Sequence, residues 1–498
     1  MQSLSKLTCS FLALLCITLG LAQENVFLSR DYWKANPSID KIEADISEGN
    51  DIAQLNGNMF DAVSYALLAE TDNSIVKYLL TKKGNEVDKI THDGRTYIFW
   101  AAYRNNLDIV KYLVENGAKA DVKDSHGYNV INFAARAGIT NTTLYDFLLK
   151  HKADINDVTN NGANALLLVA PSVLDYATIA YFNMKGLDLE STDDEGNNLF
   201  HYAARGGNIE LLKKLIEKGL SYNSLNKLGG NAILMASQGA DQLKDGLTTF
   251  KYLENLGLEA NITDKQGRNP LHAIAYKSDD LSLFEYFIEK GVDVNKQDKG
   301  GDSPFMNAAN SNTLSVVEFL FDYVEDINTK DENGRSALAM AVNRNSADIV
   351  KYLLQKGADS KTVDVKGNSL AYYLMNSFNA KKPEVFEAKL KALQKSGLVM
   401  TTAQNNGNTL LHLAAKENDL TLLKRLEKFN IGINQRNNDG NTALHLAAMS
   451  SHNETILKYL IAQGADKSLK TEFEETVYDL VSENELLREQ LNILDYLK

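Results

Sequence analysis

Four histidines, His201, His272, His412 and His445, are the side chains best suited to chemistry in this chain of 498 residues. An imidazole can hold a metal ion or move a proton near neutral pH. Metal ligands, however, must converge on one ion, and these four stand whole repeating units apart, at the same place in each unit. A structural role is expected, with each ring hydrogen-bonding locally to brace its own turn. Two acidic turns, Asp193-Asp194-Glu195-Gly196 and Asp331-Glu332-Asn333-Gly334, approach a calcium-loop pattern. The place six residues past each glycine, where a bidentate Glu would complete such a loop, holds Tyr202 and Met340 instead. Ordinary turns are expected there. The sequence contains no phosphate loop ending in Gly-Lys-Ser/Thr, no His-Glu-x-x-His and no Gly-x-Ser-x-Gly, and its two cysteines are Cys9 and Cys16. No catalytic residue, metal or cofactor is expected, and an enzyme would need a site scattered over many units.

The elements that carry these residues repeat. Turn glycines stand at Gly94, Gly127, Gly162, Gly196, Gly229, Gly267, Gly301, Gly334, Gly367, Gly407 and Gly440. Their gaps are 33 to 35 residues, except 38 after Gly229 and 40 after Gly367. A second ladder, including Gly84, Gly117, Gly219, Gly357 and Gly464, marks helix ends in step with the first. In the last full unit Asp439-Gly440-Asn441 is a tight turn. Ala443 to Met449 is a short Ala-rich helix, and Glu454 to Ala462 is a second helix with an Ile/Leu stripe. Paired alanines such as Ala134-Ala135 and Ala203-Ala204 let first helices approach closely. The stretch Thr442-Ala443-Leu444-His445-Leu446-Ala447-Ala448, followed by Gly464-Ala465-Asp466, resembles the ankyrin repeat. That resemblance implies an all-α fold, an α-solenoid of stacked ankyrin repeats made of helix-turn-helix units and finger turns, capped at both ends.

The expected organisation is a signal peptide over 1–22, an N-terminal cap over 23–57, an array of about twelve repeats over 58–470 and a C-terminal capping half-repeat or helix over 471–498. Lys6 and the apolar run Leu7 to Leu21 fit an export signal, too short for a membrane anchor. Both cysteines fall inside it, and a cysteine-free exported repeat protein suits a bacterial periplasm or secreted fluid. Phe27, Tyr32 and Trp33 are expected to pin the N-terminal segment onto the first repeat. With 52 Lys and Arg against 65 Asp and Glu, the net charge of −13 disfavours nucleic acid or anionic membrane as the main partner. The extra residues around 238–248 and 376–385 are expected at helix–helix turns, away from the fingers.

What the resemblance implies for function is protein binding by a non-enzymatic scaffold, a monomer, through its concave face and finger tips. The residues at those places are Tyr103, Arg104, Arg136, Arg205, Tyr276, Lys277, Arg344 and Lys416 after the first helices. Arg95, Arg268 and Arg335 stand just past their glycines. This run of basic and aromatic side chains in an acidic chain fits a groove for an acidic protein segment. The alternative from the same residues is solvated spacers paired with nearby acids. A secreted, host-directed effector is a second functional reading.

Overall fold

The computed structural model describes residues 25–243, 245–379, 381–487 and 495–498. The segment read as a signal peptide, with Cys9 and Cys16, lies outside them, as does part of the stretch read as the C-terminal cap. The regular secondary structure of the described residues is helical, with isolated backbone bridges such as Lys330 with Ser336. None of its helices is long and apolar enough to cross a membrane. It forms two compact units, one running to Val169 and including Ala177–Asp188, the other comprising Ala170–Tyr176 and Leu189–Lys498.

The first unit opens with a 3-10 turn at Val26–Leu28 and helices Arg30–Lys34 and Ile39–Ser47. Trp33 and Phe27 are fully buried, and the Trp33 indole N–H donates to the Phe27 carbonyl at 2.8 Å. Thr71 of the next helix pair donates to the Trp33 carbonyl, so the aromatic cluster fastens this segment to the array. Helix pairs follow at Ala62–Leu68 with Asn73–Leu79, Tyr97–Tyr103 with Leu107–Glu115, Val130–Arg136 with Thr142–Lys150, and Ala165–Val169 with Ala177–Met184. The second unit continues with eight further pairs, from Leu199–Gly206 and Ile209–Glu217 to Ala443–Ser450 and Thr455–Ala462, and then Val477–Glu483.

Each pair is built the same way. An Asn, Ser, Thr or Asp caps the first helix, as where the Asn198 side chain accepts from the His201 N–H. Small residues then let neighbouring helices touch: Ala134, Ala135, Ala203, Ala204, Ala414 and Ala415 are all fully buried. A Cβ on Gly206 would lie 1.9 Å from the Pro171 carbonyl oxygen, so only glycine fits at that crossing. The second helices bury one Ile/Leu stripe, such as Ile349, Val350 and Leu353, and expose the rest.

Between pairs, the finger turns form a backbone ladder. Within the second unit, Lys227 N–H donates to Glu195 C=O, Lys265 to Leu228, Lys299 to Gln266, Glu332 to Gly300 and Val365 to Asn333. The ladder explains a turn glycine in two ways. Gly334 has φ of +77°, and a Cβ there would lie 2.7 Å from the Val365 nitrogen.

The longer gaps resolve differently. The extra residues after Gly229 fill the turn between Ala232–Ser237 and Gly246–Asn255. After Gly367 much of the surplus lengthens the second helix itself, Pro383–Lys395, which buries Phe386, Leu390 and Leu393. In the stretch read as the C-terminal cap, the helix Val477–Glu483 stops at Glu483, and residues 484–487 do not continue it. The buried Asn484 amide donates to the Ala448 and Ser451 carbonyls and fixes the stop.

Candidate protein-binding cleft

Each of the four repeat histidines takes the same two bonds. His201 Nδ1 accepts the Asn198 N–H at 3.2 Å, and its Nε2 faces the Ser224 carbonyl at 3.1 Å. His272 joins Asn269 to Asp302, His412 joins Thr409 to Asn441, and His445 joins Thr442 to Leu469 in the same manner. A ring that accepts at Nδ1 and donates at Nε2 must be neutral. Burial pushes His201 down to about 4 and lowers the other three. These rings tie a helix start to the next finger and have no nitrogen left for a ligand.

The arginines just past the turn glycines are also occupied. An aspartate three residues before Gly267 and Gly334 uses one carboxylate oxygen to accept turn N–H groups and gives the other to the arginine. Arg268 Nε and Nη2 meet Asp264 Oδ2 at 2.9 and 2.8 Å. Arg335 meets Asp331 Oδ2 with both nitrogens at 2.6 Å. Arg95 is 7% exposed. Its own turn carries Thr91 in place of the aspartate, so it reaches to the next repeat, with Nε and Nη2 each 2.8 Å from Asp124 Oδ2. These guanidinium groups brace fingers first, with partial exposure left at Arg268 and Arg335.

The residues following the first helices are distributed over both units. In the second, Tyr276 and Lys277 line a shallow hollow with Arg268, Glu195 and Asp298, where charges of both signs nearly balance. Lys277 Nζ donates to the Gln238 carbonyl at 2.9 Å. Arg205 is half-buried, and Arg344 and Lys416 are exposed. These three do not gather in one site.

In the first unit they do. Arg95, Tyr103, Arg104 and Arg136 line a cleft of about 720 Å³, inside the size range of ligand-binding clefts. Its wall is a continuous series of rings from three repeats. Phe60 stacks on Tyr65 and His92 at 5.3 and 4.6 Å and tilts against Trp100 at 5.4 Å. Phe133 then meets Trp100 edge-on at 5.7 Å, with Tyr103 and Tyr128 beyond it. Guanidinium groups lie over these rings: Arg95 over Phe133, Arg30 over Tyr65, Arg104 over Tyr103 and Arg136 over Tyr128. Lys34, paired with Asp31 at 3.1 Å, adds a fifth cation, and Asp93 is the carboxylate in the lining. That carboxylate is already engaged, with Arg95 at 3.1 Å and with His92 and His126 both at 3.3 Å from Oδ2. Arg104 pairs with the exposed Glu70, whereas Arg136 bonds the Tyr128 hydroxyl and meets no carboxylate among the described residues.

Sequence register found Tyr103, Arg104 and Arg136 but not the rings between them. Their signal was present: Tyr65, Trp100 and Phe133 fall six residues after Met59, Gly94 and Gly127, and Met59 takes the turn glycine's place with φ of +60°. Arg30 and Lys34 precede the repeats and follow no register.

The chain matches a family model described as ankyrin repeats (3 copies) over residues 59–159, 240–331, 271–364, 306–386 and 374–471. A second, ankyrin repeats (many copies), matches residues 175–216. Among curated proteins it is similar to the palmitoyltransferase AKR1 of Lachancea kluyveri, 31% identical over 170 residues, which are 33% of this chain and 22% of that protein. It also resembles human palmitoyltransferase ZDHHC13, 27% identical over 171 residues, 34% of this chain and 27% of that protein. A putative ankyrin repeat protein of Rickettsia felis is 31% identical over 121 residues, 24% of this chain and 39% of that protein. The chain thus spans well under half the length of each of these relatives. Together the matched segments cover well over half of the chain and coincide with the helix pairs and finger turns, and the chain belongs to the ankyrin repeat family.

Proposed function

We propose that this protein is a non-enzymatic scaffold that binds a partner protein through the face formed by its first helices and finger turns, with the cleft of the first unit as principal anchor. The observation that carries the reading is the cleft's composition: four guanidinium groups over aromatic rings and Lys34 beside them, with one lining carboxylate, in a chain of net charge −13. Such a surface complements an acidic segment, because guanidinium groups engage carboxylates with paired N–H donors and rings supply rigid contact area. The second-unit residues Arg205, Arg268, Tyr276, Lys277, Arg335, Arg344 and Lys416 contribute secondary contacts. The chain acts as a monomer.

Export belongs to the same reading. Residues 1–22 have the composition of a secretory signal and contain both cysteines of the sequence, which suits a bacterial periplasm or secreted fluid. Cell fractionation separates a periplasmic scaffold from a host-directed effector, which would leave the producing cell.

Affinity capture with the tagged full chain at low and high salt tests the binding reading. The expected result is a partner retained at low salt and released at high salt, since exposed charges are screened. Joint replacement Arg104→Glu and Arg136→Glu should abolish retention, whereas Arg344→Glu with Lys416→Glu weakens it less. Unchanged retention by the cleft variant refutes the cleft as anchor.

A further inference from the structure

An electrostatic groove for carboxylates alone has no use for rings, yet the deepest part of this cleft is ring against ring. Trp100 and Phe133 are 5% and 6% exposed, so most of their area is already packed, while Phe60, Tyr103 and Tyr128 are only half-buried and turn open surface into the cleft. The half-buried rings stand on both sides of the Trp100–Phe133 contact. The cations sit at their margins, over Tyr65, Tyr103 and Tyr128.

Resting on the binding reading above, we infer that the cleft takes an extended acidic peptide segment carrying one aromatic side chain, whose ring enters against Phe60, Trp100 and Phe133 while its flanking carboxylates meet Arg30, Arg104 and Arg136. An incoming ring gains edge-to-face and offset contacts with a wall already arranged that way, beyond the area it buries. Arg30 and Arg136 have no carboxylate partner among the described residues, so a ligand's carboxylate would not first displace one. Arg104 would exchange the exposed Glu70, a weak surface pair, for the ligand. The buried Arg95, held by Asp124 and Asp93, packs over Phe133 and is not an anchor.

The test is calorimetric titration of the full chain with short glutamate-rich peptides that have phenylalanine, leucine or alanine at the centre, with tryptophan emission, from Trp33 and the cleft's Trp100, read in parallel. Changes made on the peptide leave the protein's folding untouched. The phenylalanine peptide should bind and perturb the emission, with the alanine peptide weaker by at least about tenfold and the leucine peptide between them. Phe60→Ala should bring the phenylalanine peptide to the alanine peptide's affinity, with Tyr103→Leu as a second variant should Phe60→Ala fail to fold. Arg30→Glu with Arg136→Glu should weaken all three peptides alike. Equal affinity of the phenylalanine and alanine peptides overturns the ring slot while leaving the acidic-segment reading standing. Absence of binding by any peptide overturns this inference, and the capture experiment then judges the binding reading on its own. A single-stranded oligonucleotide that binds more tightly than the phenylalanine peptide overturns it too.

Discussion

At the scale of the residue, the same side-chain type does different work according to what lies within a few ångströms. Arg268 and Arg335 close on aspartates of their own turns, Arg95 on Asp93 of its own turn and Asp124 of the next repeat, and Arg136 lies over a ring with no carboxylate in reach among the described residues. The repeat histidines have one role, and it is sensitive to acid. In the unfolded chain an imidazole takes up its proton below about pH 6.5, whereas in the fold His201 resists protonation down to about 4. The unfolded state therefore binds more protons across that window, and stability falls as pH drops from 6.5 toward 4. The loss approaches about 1.4 kcal/mol per pH unit for such a histidine once the unfolded form is fully protonated. His272, His412 and His445 act in the same direction. Urea midpoints measured across this range should fall for the wild type. They should fall less steeply for His201→Gln, which is less stable than the wild type at neutral pH but cannot titrate.

At the scale of the element, each repeat depends on glycine for backbone conformation and, at some positions, for space. The two demands separate cleanly between a helix end and a finger turn. Gly357 has φ of +94°, and a Cβ added there would meet nothing within 4 Å, whereas Gly334 has φ of +77° and the Val365 nitrogen at 2.7 Å. Gly357→Ala should cost about 1 kcal/mol for the left-handed backbone alone. Gly334→Ala should cost roughly 2–3 kcal/mol, because the added methyl also pushes Val365 away from its 2.9 Å bond to the Asn333 carbonyl. Equal denaturation midpoints for the two variants would mean that the finger ladder contributes little to stability. The helix elements were legible in the sequence because their determinants are local: a capping Asn, Ser or Thr, an alanine pair, an Ile/Leu stripe. The long helix Pro383–Lys395 was not, since an insertion in a repeat can widen a turn or lengthen a helix, and burial of Phe386 and Leu393 against neighbours chose between them.

At the scale of the whole molecule, the helix pairs bury their apolar faces chiefly against adjoining repeats, which makes stability a sum of repeat and nearest-neighbour terms. The two tryptophans, Trp33 and Trp100, both lie in the first unit. Leu423→Ala, at a fully buried site many repeats away, should cost about 2–5 kcal/mol. It should lower the helical transition seen by circular dichroism while leaving the tryptophan-emission midpoint in place. A parallel drop in both would show that the chain unfolds as one cooperative block. The sequence by itself determined the repeat period, the turn glycines and the core stripes, because each recurs locally and at a fixed spacing. It also put Tyr103, Arg104 and Arg136 on one face. Only the tertiary structure decided which guanidinium groups are spent on aspartates and which stay open, and that Arg30 and Phe60 meet the rings of later repeats. The pairings of Arg95 with Asp124, Arg30 with Tyr65 and Phe60 with Trp100 join residues about one repeat apart, and their outcome depends on which charge or ring the stacking brings within contact distance.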